Sequence, residues 1–190
     1  MFSTIFDAIY VIFLIAGVVI RRAGTRGLKK RFDMPPLELF LFSLNSIGMF
    51  FLPLLYLITT YLDFGDYQLP EALSWLGIPA FIIALWVLWK SHVDLGRRWS
   101  PNIKIQDKHE LVTDGIYKHI RHPMYASHLY WALAQLLLIQ NWIAGPAMLV
   151  TITPFYLYRI PKEEAMMLEH FGKAYQDYMK KTKRLIPGIL

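Results

Sequence analysis

The 190-residue chain contains no cysteine. That excludes disulfides, thiolate metal sites and cysteine nucleophiles. Charge is scarce, at 18% of residues, and acids are fewer than bases: 14 Asp and Glu against 20 Lys and Arg, a net charge of +6. The six histidines include no His-x-x-x-His pair and come with no paired-carboxylate spacing, so nothing in them marks a metal site. No basic helix interleaved with aromatics stands apart from the apolar segments. The basic residues flank those segments, which points to anionic lipid headgroups rather than nucleic acid. Internal repeats and low-complexity tracts are also missing.

Apolar length is what the chain has instead. Hydrophobic residues make up 55% of it and the mean hydropathy is +0.34, well above an ordinary soluble domain. The first apolar run covers Phe2 to Ile20, broken only by Asp7. A signal peptide carries its basic residues before such a run. Here they follow it, from Arg21-Arg22 to Lys29-Lys30-Arg31, so the run is expected to be an uncleaved membrane helix. Pro35-Pro36 opens a second run, Leu37 to Leu62, long enough to span with some tilt. Asn45, Ser46 and Gly48 in its middle are expected to pack helices together. A third span is expected from Leu73 to Trp89, a fourth from Met124 to Ile139 and a fifth from Trp142 to Tyr158. Asn141 and Gly145-Pro146 mark the turn between the last two. Both are short, which suits a thin local bilayer or a bundle that shields their ends.

The charges fit this layout. With the N-terminus outside, residues 21–36, 90–123 and 159–190 are cytoplasmic, and they hold six, seven and seven of the Lys and Arg, which is all twenty. The outer turns hold Asp63, Asp66 and Glu71 but no base. The positive-inside rule predicts this one-sided split. The expectation is therefore a single all-α, polytopic membrane domain over 1–190, with about five transmembrane helices. Residues 1–84 supply the N-terminal membrane helices and 85–187 the catalytic region. A separate C-terminal helix is expected from Pro161, a residue suited to a first helical turn. Glu164, Leu168, Phe171, Tyr175 and Tyr178 recur on one face of it, and Gly172 ends or kinks it midway. A helix lying on lipid explains the stripe but not the glutamate on its apolar side.

Two polar clusters stand out. Leu111-Val112-Thr113-Asp114-Gly115-Ile116-Tyr117 runs on to Arg121-His122-Pro123-Met124-Tyr125. About forty residues later comes Arg159-Ile160-Pro161-Lys162-Glu163-Glu164, and one membrane hairpin between them returns both to the same face of the bilayer. Taken singly, each group has an ordinary explanation as a basic flank, a belt aromatic, a turn glycine or a helix N-terminal acid. His92 and His128 read as packing or interface residues. Together the clusters set cations and anions face to face at an interface. Such a pocket suits a zwitterionic, partly apolar ligand such as S-adenosylmethionine: Arg or His for its carboxylate, Glu for its ammonium or ribose, tyrosine faces for sulfonium or adenine.

Gly115-x-Tyr117, Arg121-His122-Pro123-x-Tyr125 and Arg159-x-x-x-Glu163-Glu164, with Phe171-Gly172-x-x-Tyr175-x-x-Tyr178, resemble the isoprenylcysteine carboxyl methyltransferase family. That family is related to the phospholipid N-methyltransferases, and the layout looks most like its short prokaryotic members. The resemblance covers roughly residues 85 to 187. It implies an S-adenosylmethionine site on the cytoplasmic side, lined by His109, Glu110, Leu111, Val112, Tyr117, Arg121, His122, Pro123, Met124, Tyr125, Glu163 and Glu164. It also implies Arg159 and Tyr125 at the reacting centre, with Arg159 on the acceptor. The segment Leu95-Gly96 to Trp99-Ser100 is similar to the family's segment after the preceding span. The chain departs from the eukaryotic enzymes in lacking their extra N-terminal spans and in carrying Pro161 and Lys162 where they tend to have acids. The expected partners are membrane lipids and a lipophilic or lipid-modified acceptor, with no nucleic acid and no metal. Carboxyl methylation of an isoprenylcysteine-like group is the leading reading. Methylation of a phospholipid amine such as phosphatidylethanolamine needs a base as well, for which His119, His122 or Glu164 is at hand. A nicotinamide-dependent membrane lipid or sterol reductase is a further alternative, and a non-catalytic membrane scaffold another.

Overall fold

The computed structural model describes residues 4–26, 34–96 and 111–189. Among them every regular element is helical, and β structure is limited to two isolated bridges. The helices are α1 (Ile5–Gly24), α2 (Pro36–Ser46), α3 (Leu52–Ile58), α4 (Glu71–Leu95), α5 (Pro123–Leu138), α6 (Ala147–Phe171) and α7 (Lys173–Lys181). A π-turn at Ile47–Phe51 joins α2 to α3, so Pro36–Ile58 is one helical rod. That rod and α4 are long and apolar enough to cross a membrane.

Three of the helices start for a clear local reason. Asp7, the one acid in the first apolar run, completes a capping box: its backbone N–H donates to Thr4 Oγ1 at 3.3 Å and its carboxylate accepts from the Thr4 N–H at 2.9 Å. Pro36 and Pro123 occupy first turns, where a missing N–H costs nothing. Gly96 and Gly172 terminate α4 and α6 in positive-φ conformations, at 55° and 52°.

Pro161 does not start a helix. α6 runs unbroken from Ala147 to Phe171 through both Pro154 and Pro161. The expected fifth span and the first half of the expected C-terminal helix are therefore one 25-residue rod, and only the part after Gly172 is separate. Each proline removes one backbone hydrogen bond, and packing along the rest of the rod outweighs that loss.

α5 is the axis of the bundle. Of its large apolar side chains only Leu133 is exposed, while Trp131 and Leu138 are sealed against α1 and α4. A Cβ on Gly17 of α1 would stand 2.3 Å from the Trp131 ring, so the two helices meet there at the closest approach glycine allows. This wrapping explains how a 16-residue helix fits an apolar bundle. The outward faces carry Ile12 and Ile15, Phe40, Phe51 and Ile58, Trp86 and Leu157, the surface a bilayer would cover.

The bundle interior handles its polar groups in two layers. Gln135 is fully buried and donates to the carbonyls of Gly48 (3.1 Å) and Ala144 (2.8 Å), while its Oε1 accepts from the Tyr10 hydroxyl at 2.9 Å. The Gly48 carbonyl lies in the π-turn, where the wider hydrogen-bond spacing frees it for a side-chain donor. Beyond the end of α5, Asn141 donates to the Leu62 carbonyl (2.7 Å) and Asp66 (2.8 Å) and accepts from the N–H groups of Ile143 and Ala144. It stitches the α3–α4 loop to the α5–α6 turn. Replacing Gln135 with Leu strands two carbonyls and leaves the Tyr10 hydroxyl only the Met49 carbonyl, at 3.4 Å, to donate to. It is expected to lower stability in detergent by about 1–3 kcal/mol, read as a drop in thermal midpoint.

Candidate active site at the charged end of the bundle

The opposite end of the bundle gathers the C-terminus of α4, the N-termini of α2 and α5, and the second half of α6. A short 3-10 turn, Gly115–Lys118, approaches it from the end of α4. Asp94 sets this turn, accepting the Ile116 N–H at 2.7 Å while paired with Lys90. Gly115 has φ +57°, and a Cβ there would lie 2.2 Å from Asp94 Oδ2, so only glycine fits. Val112, Ile116 and Tyr117 bury against Val87. The Tyr117 carbonyl accepts from the Tyr178 hydroxyl of α7 at 2.6 Å. Burial, and after it the nearby Glu163 carboxylate, push the Tyr117 phenol well up.

Glu164 is the hub of the first charge cluster. Its Oε1 accepts from Arg121 Nε at 2.9 Å and lies 3.3 Å from His122 Nε2; its Oε2 accepts from Arg184 Nε at 3.0 Å and Nη2 at 2.7 Å. The residue is 3% exposed. Burial opposes its ionisation, but the hydrogen bonds from His122, Arg184 and Arg121 outweigh that and hold it well below the usual carboxylate range. Arg121 also donates through Nη1 to the carbonyls of Met179 (3.2 Å) and Thr182. The backbone follows the same path, with the Arg121 N–H on the Lys183 carbonyl (2.8 Å) and the His122 N–H on that of Arg184 (3.0 Å). The tail after α7 is thus laid along the entry to α5. Here lies the reason for a glutamate on the apolar face of the stripe: it turns inward to two arginines and a histidine.

Arg159 centres the second cluster. Its Nε donates to the Tyr125 hydroxyl at 2.7 Å, and that hydroxyl donates to Glu163 Oε2 at 2.6 Å. Its Nη1 donates to Glu38 Oε1 at 2.7 Å, and Lys162 Nζ stands 3.5 Å from Glu38 Oε2. The Tyr156 hydroxyl holds the Tyr125 carbonyl at 2.6 Å, and the Phe155 ring lies 5.5 Å from the guanidinium carbon. The His122 and Tyr125 rings stack at 5.5 Å, which joins the two clusters.

The fold therefore brings Tyr117, Arg121, His122, Pro123, Tyr125, Arg159, Glu163 and Glu164 to one end of the bundle, with Val112 buried and Leu111 and Met124 half-buried beside them. His109 and Glu110, and with them Trp99 and Ser100, lie outside the described residues. His119 is exposed. The adjacent glutamates differ in kind. Glu164 has both oxygens committed inside the protein, whereas the Glu163 side chain is 32% exposed, bonded to the Tyr125 hydroxyl and 4.0 Å from Arg159 Nε. Sequence reasoning missed Glu38 and Arg184. Glu38 carried a signal: it is the one acid inside the apolar run Leu37 to Leu62. Arg184 had none, since its partner is known only once the tail folds back.

An all-helical, apolar chain with ion pairs buried at one end of the bundle and an outward apolar surface has the build of a membrane-embedded protein with an interfacial site. The comparisons narrow that class. Residues 75–169, half the chain, match the model of the isoprenylcysteine carboxyl methyltransferase (ICMT) family, and the chain belongs to that family. It is 31% identical over 118 residues to a probable protein-S-isoprenylcysteine O-methyltransferase of rice (Oryza sativa subsp. indica), covering 61% of this chain and 62% of the relative. Over 81 residues it is 40% identical to the protein-S-isoprenylcysteine O-methyltransferase of Schizosaccharomyces pombe, 43% of this chain and 34% of that one. The chain thus spans about three fifths or less of the length of these relatives. The fold matches that of the eukaryotic intramembrane Ras methyltransferase ICMT with a TM-score of 0.55 at 22% identity, over 96% of this chain and 63% of that one.

Removing the hub carboxylate should release the tail. Glu164→Ala leaves the buried Arg121 guanidinium without its counter-charge, at a cost of about 3–5 kcal/mol. Trypsin is expected to cut at Lys183 and Arg184 many times faster in that variant. For the wild type the sign with pH is set by the lowered Glu164 value: the stabilisation is complete above the ordinary carboxylate range, declines as pH falls below that range and is gone once pH passes the lowered value. Tail protection should therefore persist at pH 4 and fail only in stronger acid, measured with an acid-active protease.

Proposed function

We propose that the chain is an S-adenosylmethionine-dependent methyltransferase that esterifies the carboxylate of an isoprenylcysteine-like acceptor at the cytoplasmic face of a membrane. The observation that carries this reading is the Arg159–Tyr125–Glu163 chain, in which one phenol hydroxyl joins a cation and a carboxylate that stand 4.0 Å apart, beside His122. Its residues lie within the segment that matches the family.

The residues present fit the cofactor. Glu163 has the exposure and charge to accept its ammonium, and the buried His122 ring, with Nε2 on Glu164, would meet its carboxylate through Nδ1. Leu111, Val112, Tyr117 and Met124 supply apolar and aromatic walls for adenine. Arg121 and Glu164 act behind this wall, fixing the His122 ring and the tail. When bound, S-adenosylmethionine supplies a methyl group on a sulfonium. An acceptor carboxylate is already ionised, so the chain has to position it rather than deprotonate it. Arg159 is the clamp, with Tyr125 holding its Nε. Opposite charges vanish as the methyl moves, and a site walled by Phe155, Tyr156 and lipid keeps water from stabilising the reactants.

The same reading orients the molecule. Five spans (α1, Pro36–Ile58, α4, α5 and the first part of α6) with the N-terminus outside put every Lys and Arg on the cytoplasmic side, where the site lies. A lipid-tailed acceptor then enters sideways between helices while the cofactor arrives from the aqueous side.

Calorimetric titration of the detergent-purified protein with S-adenosylhomocysteine should show micromolar binding, with a nicotinamide nucleotide giving none. Glu163→Gln and His122→Ala should each weaken it at least about tenfold, roughly 1.4 kcal/mol, with the fold retained by circular dichroism. Arg159→Ala should keep that affinity and lose methyl transfer to a farnesylcysteine analogue. Binding of the nicotinamide nucleotide alone would move the chain to the reductases, and transfer to phosphatidylethanolamine alone would move the acceptor from carboxylate to amine.

A further inference from the structure

Glu38 lies in the first turn of α2, outside the family-matched segment, on a helix whose neighbouring Leu37, Leu39 and Phe40 face outward. It is 1% exposed. A carboxylate is retained in such a place only when it is paired, because its burial is otherwise too costly. Its two oxygens are divided between two cations on one face of α6: Oε1 on Arg159 at 2.7 Å and Oε2 near Lys162 at 3.5 Å. On the other side of the guanidinium, Nε is fixed by Tyr125 and the Phe155 ring lies against the plane. Glu38 thus completes the frame that sets the direction of Arg159.

It also sets the charge. Arg159 and Lys162 together carry two positive charges; Glu38 offsets one of them, and Glu163, 4.0 Å from Arg159 Nε, faces the guanidinium from its other end. Glu163 is assigned to the ammonium of the methyl donor, so what remains matches a single acceptor carboxylate. We infer that Glu38 is a positioning residue that aims Arg159 and tempers its charge, so that the acceptor carboxylate is held firmly enough to align and loosely enough to react. This rests on the carboxyl-acceptor reading given above.

The chemistry explains why a tighter grip would be slower. A carboxylate oxygen forms a bond to the methyl carbon, the carbon–sulfur bond breaks, and its electron pair stays on sulfur. An anion and a sulfonium become a neutral ester and a thioether. An extra unit of positive charge beside the carboxylate stabilises the reactant, where its charge is full, more than the transition state, where that charge is fading. The acceptor then binds better and turns over worse.

The test compares Glu38→Gln and Glu38→Asp with the wild type, using S-adenosylmethionine and N-acetyl-farnesylcysteine, with S-adenosylhomocysteine affinity measured in parallel. Glu38→Gln keeps an oxygen for Arg159 and removes the charge. Both kcat and the acceptor KM should fall, kcat on the order of tenfold, with cofactor affinity unchanged. Glu38→Asp keeps the charge but withdraws it by one methylene, so kcat should fall while KM rises. A merely structural role would lower the thermal midpoint without this opposite movement of KM. Wild-type kinetics in Glu38→Gln, or a raised KM, overturn the inference while leaving the carboxyl reading intact. If Glu38→Gln fails to fold, Glu38→Asp decides, and unchanged kcat and KM there overturn the inference. A wild type that binds S-adenosylhomocysteine but methylates no prenylcysteine overturns the carboxyl reading, and the inference with it.

Discussion

The charged end of this bundle depends on the Glu164 carboxylate. Four donors from three side chains converge on it, from the entry to α5 and from the tail beyond α7, while Glu164 itself rides on α6. Three pieces of chain distant in sequence meet at one buried group. Each would be costly there alone: Arg121 and His122 as unpaired cations or donors, Glu164 as an unpaired acid. The cluster persists because all are present. It fixes where His122 points, and through the stacked His122 and Tyr125 rings it bears on the Arg159 cluster as well.

Within the apolar bundle the same rule takes a different form. No water reaches the middle of such a bundle, so each freed backbone group must find a side chain. The π-turn at Ile47–Phe51 frees carbonyls, and Gln135 with Tyr10 takes up the slack. Gly48 makes this possible, since a Cβ there would lie 2.6 Å from the Ala147 carbonyl oxygen and hold α6 away. The irregular turn, the glycine, the buried amide and the phenol form one device spread over three regions of sequence.

Much of this architecture is legible in the order of the amino acids. Apolar run lengths place the helices, and the stripe ending in Tyr175 and Tyr178 predicts an inward face that both tyrosines occupy. Gly172 reads correctly as a break, because a positive φ at a helix end is a local matter that sequence records. Pro161 misleads for the complementary reason. Proline marks a first turn by local preference, but the packing of α6 over its whole length overrides it, and length is not visible from one residue. Asp7 looks like an interruption and is a cap, a role visible only with Thr4 placed three residues ahead of it. Arg184 and Glu38 escape a reading by pattern because their roles are relations across 20 and 121 positions, and no periodicity encodes those.

Those long relations also bear on the division of the chain. The family match begins at residue 75, which would leave the first helices as mere membrane anchor. The ion pairs do not respect that boundary. Lys162, Glu38, Arg159, Tyr125 and Glu163 form one hydrogen-bonded line that begins and ends on α6 and passes through α2 and α5, and its second member comes from outside the matched segment. Without Glu38 the guanidinium loses its 2.7 Å partner at Nη1, the end away from Tyr125, and a long, rotamer-rich side chain is directed less narrowly. The N-terminal helices therefore contribute more than apolar bulk: by presenting one buried carboxylate they convert a mobile arginine into a directed one. In a chain this short, the boundary between scaffold and site runs through individual side chains rather than between segments.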